Sequence, residues 1–171
     1  MGNKSMIPEE LKPITGTAVG VAGNAASTFD WINCRGAHTL YCVVNIKRAT
    51  ATFDYLLAYS GSDSAATGSS AISTGINYWY RKGTMDRITK YTDSTYGGHL
   101  QCVSSNIAAG ASSGPLMLIA ALDLATVPTS HPWVAFALKS SSQVGNLHYA
   151  SYFLDSRYKG YQQFIATTSS T

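Results

Sequence analysis

Charge is what this chain has least of. Only 12% of its 171 residues are Asp, Glu, Lys or Arg, and the formal net charge is +3. That is about half the charged share of an ordinary domain. A surface with so few charges is weakly protected against association, which suits a subunit that works inside an assembly. Eight of the twelve basic residues fall in scattered pairs, Lys47 with Arg48, Arg81 with Lys82, Arg87 with Lys90 and Arg157 with Lys159. A nucleic-acid surface gathers such residues on one stripe with interleaved aromatics, so nucleic acid is not expected as a partner.

Chemical motifs are equally scarce. The four histidines, His38, His99, His131 and His148, show no metal-ligand spacing, and no cysteine pair approaches zinc-ligand spacing. The two glutamates, Glu9 and Glu10, lie side by side near the start, and spacing places no two aspartates together as a glycosidase cleft requires. The G-x-S-x-G spacing occurs once, as GASSG inside the small-residue loop AAGASSG, where an apolar strand and not a helix follows, so it makes no nucleophile elbow, and there is no phosphate-binding G-x-x-x-x-G-K-[ST] loop. The expectation is a protein that is not an enzyme, with no cofactor and no catalytic, cofactor-binding or metal-binding residue. Cys34, Cys42 and Cys102 cannot all pair with one another, and Cys42 and Cys102 fall inside apolar alternation, so buried free thiols are expected. Long hydrophobic runs are missing too. The most apolar stretch, GPLMLIAALDLA, meets Asp123 after too few residues to cross a bilayer. No secretory signal opens the chain, so synthesis in the cytoplasm and no membrane partner are expected.

What is present is β-pattern. Residues 40–63, LYCVVNIKRATATFDYLLAYSGSD, read as a hairpin of two β-prone arms joined by a polar loop. In the first arm Leu40, Cys42, Val44 and Ile46 share one face, with Tyr41, Val43 and Asn45 on the other. In the second, Phe53, Tyr55, Leu57 and Tyr59 oppose Asp54, Leu56, Ala58 and Ser60. STFDWINCR precedes it, with Phe29 and Trp31 on one face and Ile32 and Cys34 on the other. GSDSAATGSSAISTG reads as an exposed low-complexity loop. INYWYRKG and DRITKYTD read as a strand pair, with Ile76, Tyr78 and Tyr80 alternating with Asn77, Trp79 and Arg81. LQCVSSNI is a strand, AAGASSG a second loop, and PLMLIAALDL a buried strand ending near Asp123. VPTSHP must be loop or edge because proline cannot donate to a ladder. WVAFALKSSS, apolar on both faces, is a central strand. LHYASYFLDSRY has two candidate inward sets, Leu147, Tyr149 and Phe153 or Ala150, Tyr152 and Leu154.

These segments predict an all-β fold, an antiparallel β-sandwich with the jelly roll among its forms, over residues 27–171. Residues 1–26, with Pro8, Pro13 and several glycines, read as an extended N-terminal arm. Tyr78, Trp79, Tyr80 and Trp133 offer a second functional reading, an aromatic platform that stacks sugar rings, although aromatics in strands more often pack across strands.

Four patterns occur in order: FDWINCRGAHTLYCVVNI, LLAYSGSDSAATGSSAIS, NYWYRKGTMDRITKYT and YASYFLDSRYKGY. In this order they resemble a group of small structural proteins of tailed bacteriophages encoded near head genes. The likeness spans residues 27–161. It implies a β-sandwich decoration or cement protein on the capsid exterior, which binds the outer surface of the major capsid protein shell and stabilises it. It also implies a homo-oligomer, dimer or trimer, on the capsid lattice, made in the host cytoplasm and carried on the virion. A minor head, neck or tail subunit and a carbohydrate-binding surface module of the virion are the alternatives. Shell-contacting residues of such proteins form no motif, so none is carried over. The arm is expected to lie across a neighbouring capsid protein. The Tyr and Ser richness and the loop AAGASSG depart from the leaner members of the group.

Overall fold

The computed structural model describes residues 11–15, 21–22, 27–47, 55–82, 88–91, 100–101, 115–139, 147–156 and 167–168. In chain order the strands are β1 (Leu11–Thr15), β2 (Val21–Ala22), β3 (Ser27–Thr28), β4 (Trp31–Asn33), β5 (Ala37–Lys47), β6 (Tyr55–Gly61) and β7 (Ser70–Ile72). They continue as β8 (Ile76–Lys82), β9 (Thr89–Tyr91), β10 (Leu100–Gln101), β11 (Pro115–Asp123), β12 (Trp133–Lys139), β13 (Leu147–Ser156) and β14 (Thr167–Thr168). A 3-10 turn, Leu124–Thr126, follows β11.

Two antiparallel sheets form and pack face to face as a β-sandwich. Sheet A runs β1-β13-β5-β11-β8-β9, with β2 also on β13; sheet B runs β10-β6-β12-β4-β14, with β3 on β12 and β7 on β6. Alternation along each strand decides what enters the core between them. From sheet A come Leu40, Cys42, Val44 and Ile46 of β5, Leu116, Leu118, Ala120 and Leu122 of β11, and Tyr78 of β8. β13 contributes Ala150, Tyr152 and Leu154, which decides between its two candidate sets. Sheet B supplies Leu56, Ala58, Ile72, Val134, Phe136 and Leu138. β12 is buried on both faces, Ala135 and Ala137 included, and lies inside sheet B between β6 and β4, as its uninterrupted apolar run predicts.

The expected hairpin of residues 40–63 does not form. β5 belongs to sheet A, where it pairs β13 and β11, and β6 belongs to sheet B, where it pairs β12, β7 and β10. The arms are strands, but the chain crosses between layers from one to the other. Pattern assigns a strand its faces and leaves its partner open. Phe53 and Asp54 lie outside the described residues. Phe29 also departs from strict alternation. It is buried in the same core cluster as Ile32 and Cys34, while Trp31 turns to the other face and covers Gly61. The cause is a one-residue shift in register between β3 and β4 against β12, while Phe29 itself still donates to the Phe136 carbonyl.

GSDSAATGSSAISTG is not loop throughout, since its Ser70–Ile72 segment pairs with β6. The β8–β9 pair forms with Trp79 opposite Lys90. Within the expected arm, Leu11–Thr15 pair with β13 along the edge of sheet A, Leu11 opposite Asp155, and Val21–Ala22 pair with β13 beyond them. The rest of residues 1–26, the loop AAGASSG and Cys102 lie outside the described residues.

The long-range pairs are nested. β1 pairs β13, β4 pairs β12, β5 pairs β11 and β6 pairs β10, and successive pairs alternate between sheets A and B.

Candidate interaction surface

Because β5, β8, β11 and β13 send one set of side chains inward, their other set forms the outer face of sheet A. Register puts these residues in rows. Tyr149, Asn45, Met117 and Arg81 lie across the four strands in one row, Ser151, Val43, Ile119 and Trp79 in the next, and Phe153, Tyr41, Ala121 and Asn77 in the third. Asp155, Thr39 and Asp123 close the far end. Tyr41, Val43, Met117, Ile119, Trp79, Tyr149 and Phe153 are all partly exposed. A solvated sheet face ordinarily alternates polar against the buried apolar set. Here the middle of the face is apolar and aromatic, and the polar residues sit towards its rim. The Ser151 hydroxyl donates to the Tyr149 hydroxyl at 2.6 Å, which ties that ring to its own strand.

The residues of the sugar-stacking platform are not brought together. Tyr78 is 5% exposed and its hydroxyl points across the core to the Leu56 carbonyl at 3.5 Å. Tyr80 packs against the same core. Trp79 stands on the outer face of sheet A, whereas Trp133 is on sheet B. Strand alternation alone separates Trp79 from its neighbours, and that much was legible in INYWYRKG.

A concavity of about 180 Å³ opens beside the start of β5 and is lined by Cys34, Arg35, Ala37, Leu124, Val127 and Pro132. Its one reactive group is subdued. Cys34 is 5% exposed, its thiol donates to the Ile32 carbonyl at 3.5 Å, and burial pushes its pKa far up. Cys42, fully buried, is pushed up in the same way. Both cysteines are free thiols, as expected, and a protonated thiol is a poor nucleophile. Among the described residues no group of three or more His, Cys, Asp and Glu side chains is placed to hold a metal ion.

The turn after β6 is built around Asp63. Its Oδ1 accepts the backbone N–H groups of Ala65 and Thr67, each at 3.0 Å. Hydrogen bonding from Thr67, first through its side chain and then its backbone, lowers the carboxyl pKa. Ser130 Oγ and His131 Nδ1, neighbours in the loop before β12, lie 2.9 Å apart; the contact is local to that exposed turn.

The sequence reading named Tyr41, Val43 and Asn45 as one face but did not single out the composite surface. The signal that could have found it is the apolar character of both faces of β5 and β11. Comparison with protein-family models, with curated proteins and with solved structures found no match.

Proposed function

We propose that this chain is a structural subunit of a tailed-phage virion, a decoration protein that binds the outer surface of the major capsid protein shell and stabilises it. The observation that carries the reading is the apolar and aromatic outer face of sheet A on a chain with 12% charged residues. Apolar area of that kind marks an interaction surface. The four ordered sequence patterns supply the phage context. The nested, layer-alternating strand pairs support the jelly-roll form of the sandwich, an architecture used by viral capsid proteins and also by lectins. Among these uses, the aromatic residues offered for sugar stacking are divided between the core and two different sheets, which favours assembly over the carbohydrate-binding alternative.

The mechanism is interfacial. A subunit bridging neighbouring capsomers adds buried area across seams of the shell, and many copies on one lattice multiply weak contacts through effective concentration. Deleting residues 1–26 is an ambiguous test of this, since it removes β1 from the edge of sheet A together with any reach towards a neighbour. Copy number is cleaner. In purified virions, quantitative mass spectrometry against the major capsid protein is expected to give a ratio near one or a simple lattice fraction. A handful of copies per particle moves the protein to the neck or tail, and absence from virions overturns the reading.

A further inference from the structure

We propose that a second copy of this chain covers the outer face of sheet A, so that the protein self-associates through that face before any docking on a larger structure. It deepens the capsid reading, which rests on the same face: that face joins subunit to subunit, and contact with the shell then falls to surfaces outside it.

Composition comes first. The residues that register gathers at its centre, among them Trp79, Tyr41, Phe153 and Met117 with Arg81 at the rim, belong to the classes enriched in protein interfaces. They are partly exposed in the single chain.

Size agrees. Six strands side by side at about 4.8 Å span about 29 Å, and β11, with nine residues at about 3.4 Å each, runs about 30 Å. The outline is about 870 Å² and the face itself is smaller, since β1 and β9 have only five and three residues; that is of the order of the roughly 800 Å² per partner of a standard interface.

The charge layout selects the occupant. Arg81 stands at one corner, on β8, with Lys90 beside it on β9, across from Trp79. Asp155 stands at the opposite corner, on β13, with Asp123 on the same end row. Within one chain the corners lie three strands apart, about 14 Å, and six residues apart along the strand direction, about 20 Å, too far to pair. A two-fold axis lying in the plane of the face, with the strands of the two copies crossing near a right angle, is one of the two ordinary ways sheets pack. It brings Arg81 of each copy onto Asp155 of the other. The face is thus complementary to itself, as a two-fold interface must be.

The test is the solution mass of the full chain, by sedimentation across a concentration series, with far-UV circular dichroism to confirm folding. The wild-type chain is expected to form a species heavier than its own 18.2 kDa. Ile119→Lys, at the centre of the face, should return it to the monomer. Arg81→Asp and Asp155→Arg, at the rim, should each raise the dissociation constant about tenfold or more, and the double reversal should restore it to near the wild-type value. A wild-type chain that is monomeric at every concentration overturns the proposal, as does an oligomer indifferent to folded Ile119→Lys. Single reversals that have no effect, or a double reversal no tighter than either single, overturn the crossing geometry. Self-association of a chain found absent from virions would leave this inference standing while removing the capsid reading.

Discussion

At Phe136 the backbone amide loses its ladder partner. The Phe136 carbonyl accepts the N–H of Phe29 at 2.8 Å, so its N–H points to the same side. There the register against β12 shifts by one residue between β3 and β4. The Tyr152 hydroxyl, arriving from the opposite sheet, accepts that N–H at 2.9 Å. Tyr152 is fully buried, and burial holds its phenol protonated. Tyr152→Phe keeps the ring and strands a buried donor, which costs about 1–3 kcal/mol; the loss should appear as a lower urea midpoint. Asp63 gives a pH dependence of known sign. Its native pKa is lowered from the ordinary 3.8, so it favours the folded turn above that value and the contribution is lost as pH falls through the lower native pKa. The amide signals of Ala65 and Thr67 should therefore shift together in acid by NMR, and stay still in Asp63→Asn.

Turns test the elements that flank them. Gly75, between β7 and β8, has φ +74°, and its carbonyl accepts the Asp123 N–H at 2.8 Å. A Cβ there would sit 2.5 Å from Thr126 Oγ1, an atom already held by the Asp123 carbonyl at 2.7 Å. Gly68 has φ +62°, but its Cβ would meet only His131 Nε2 at 3.5 Å. Gly68→Ala should thus cost the left-handed penalty alone, about 1–2 kcal/mol. Gly75→Ala adds a clash of about 1–3 kcal/mol and should unfold at clearly lower urea. The elements themselves were largely legible. Alternation located β5, β8, β11, β12 and β13 and sorted the residues of β5 and β8 into their two faces. Alternation could not tell a hairpin from a crossing, because residues 40–63 present the same faces in either case. It also could not foresee that Phe29 and Ile32 share a face, since that depends on a one-residue shift in register against β12. The outer face of sheet A is the clearest example. Tyr41, Met117, Trp79 and Phe153 are scattered over more than a hundred residues and become neighbours only through the register of four strands.

For the whole molecule the nested pairing has a mechanical consequence. Leu11 and Asp155 stand opposite each other where β1 joins β13 antiparallel. Tension applied between them loads the pair from one end, so its hydrogen bonds carry force in succession. Pulling instead at Thr15 and Asp155, at opposite ends of the same pair, loads those bonds together as a shear. With handles at these positions in an optical trap, β1 should peel away at a markedly lower force in the first geometry than in the second. The edge of sheet A is thus a seam that opens readily along one direction of strain and resists along another.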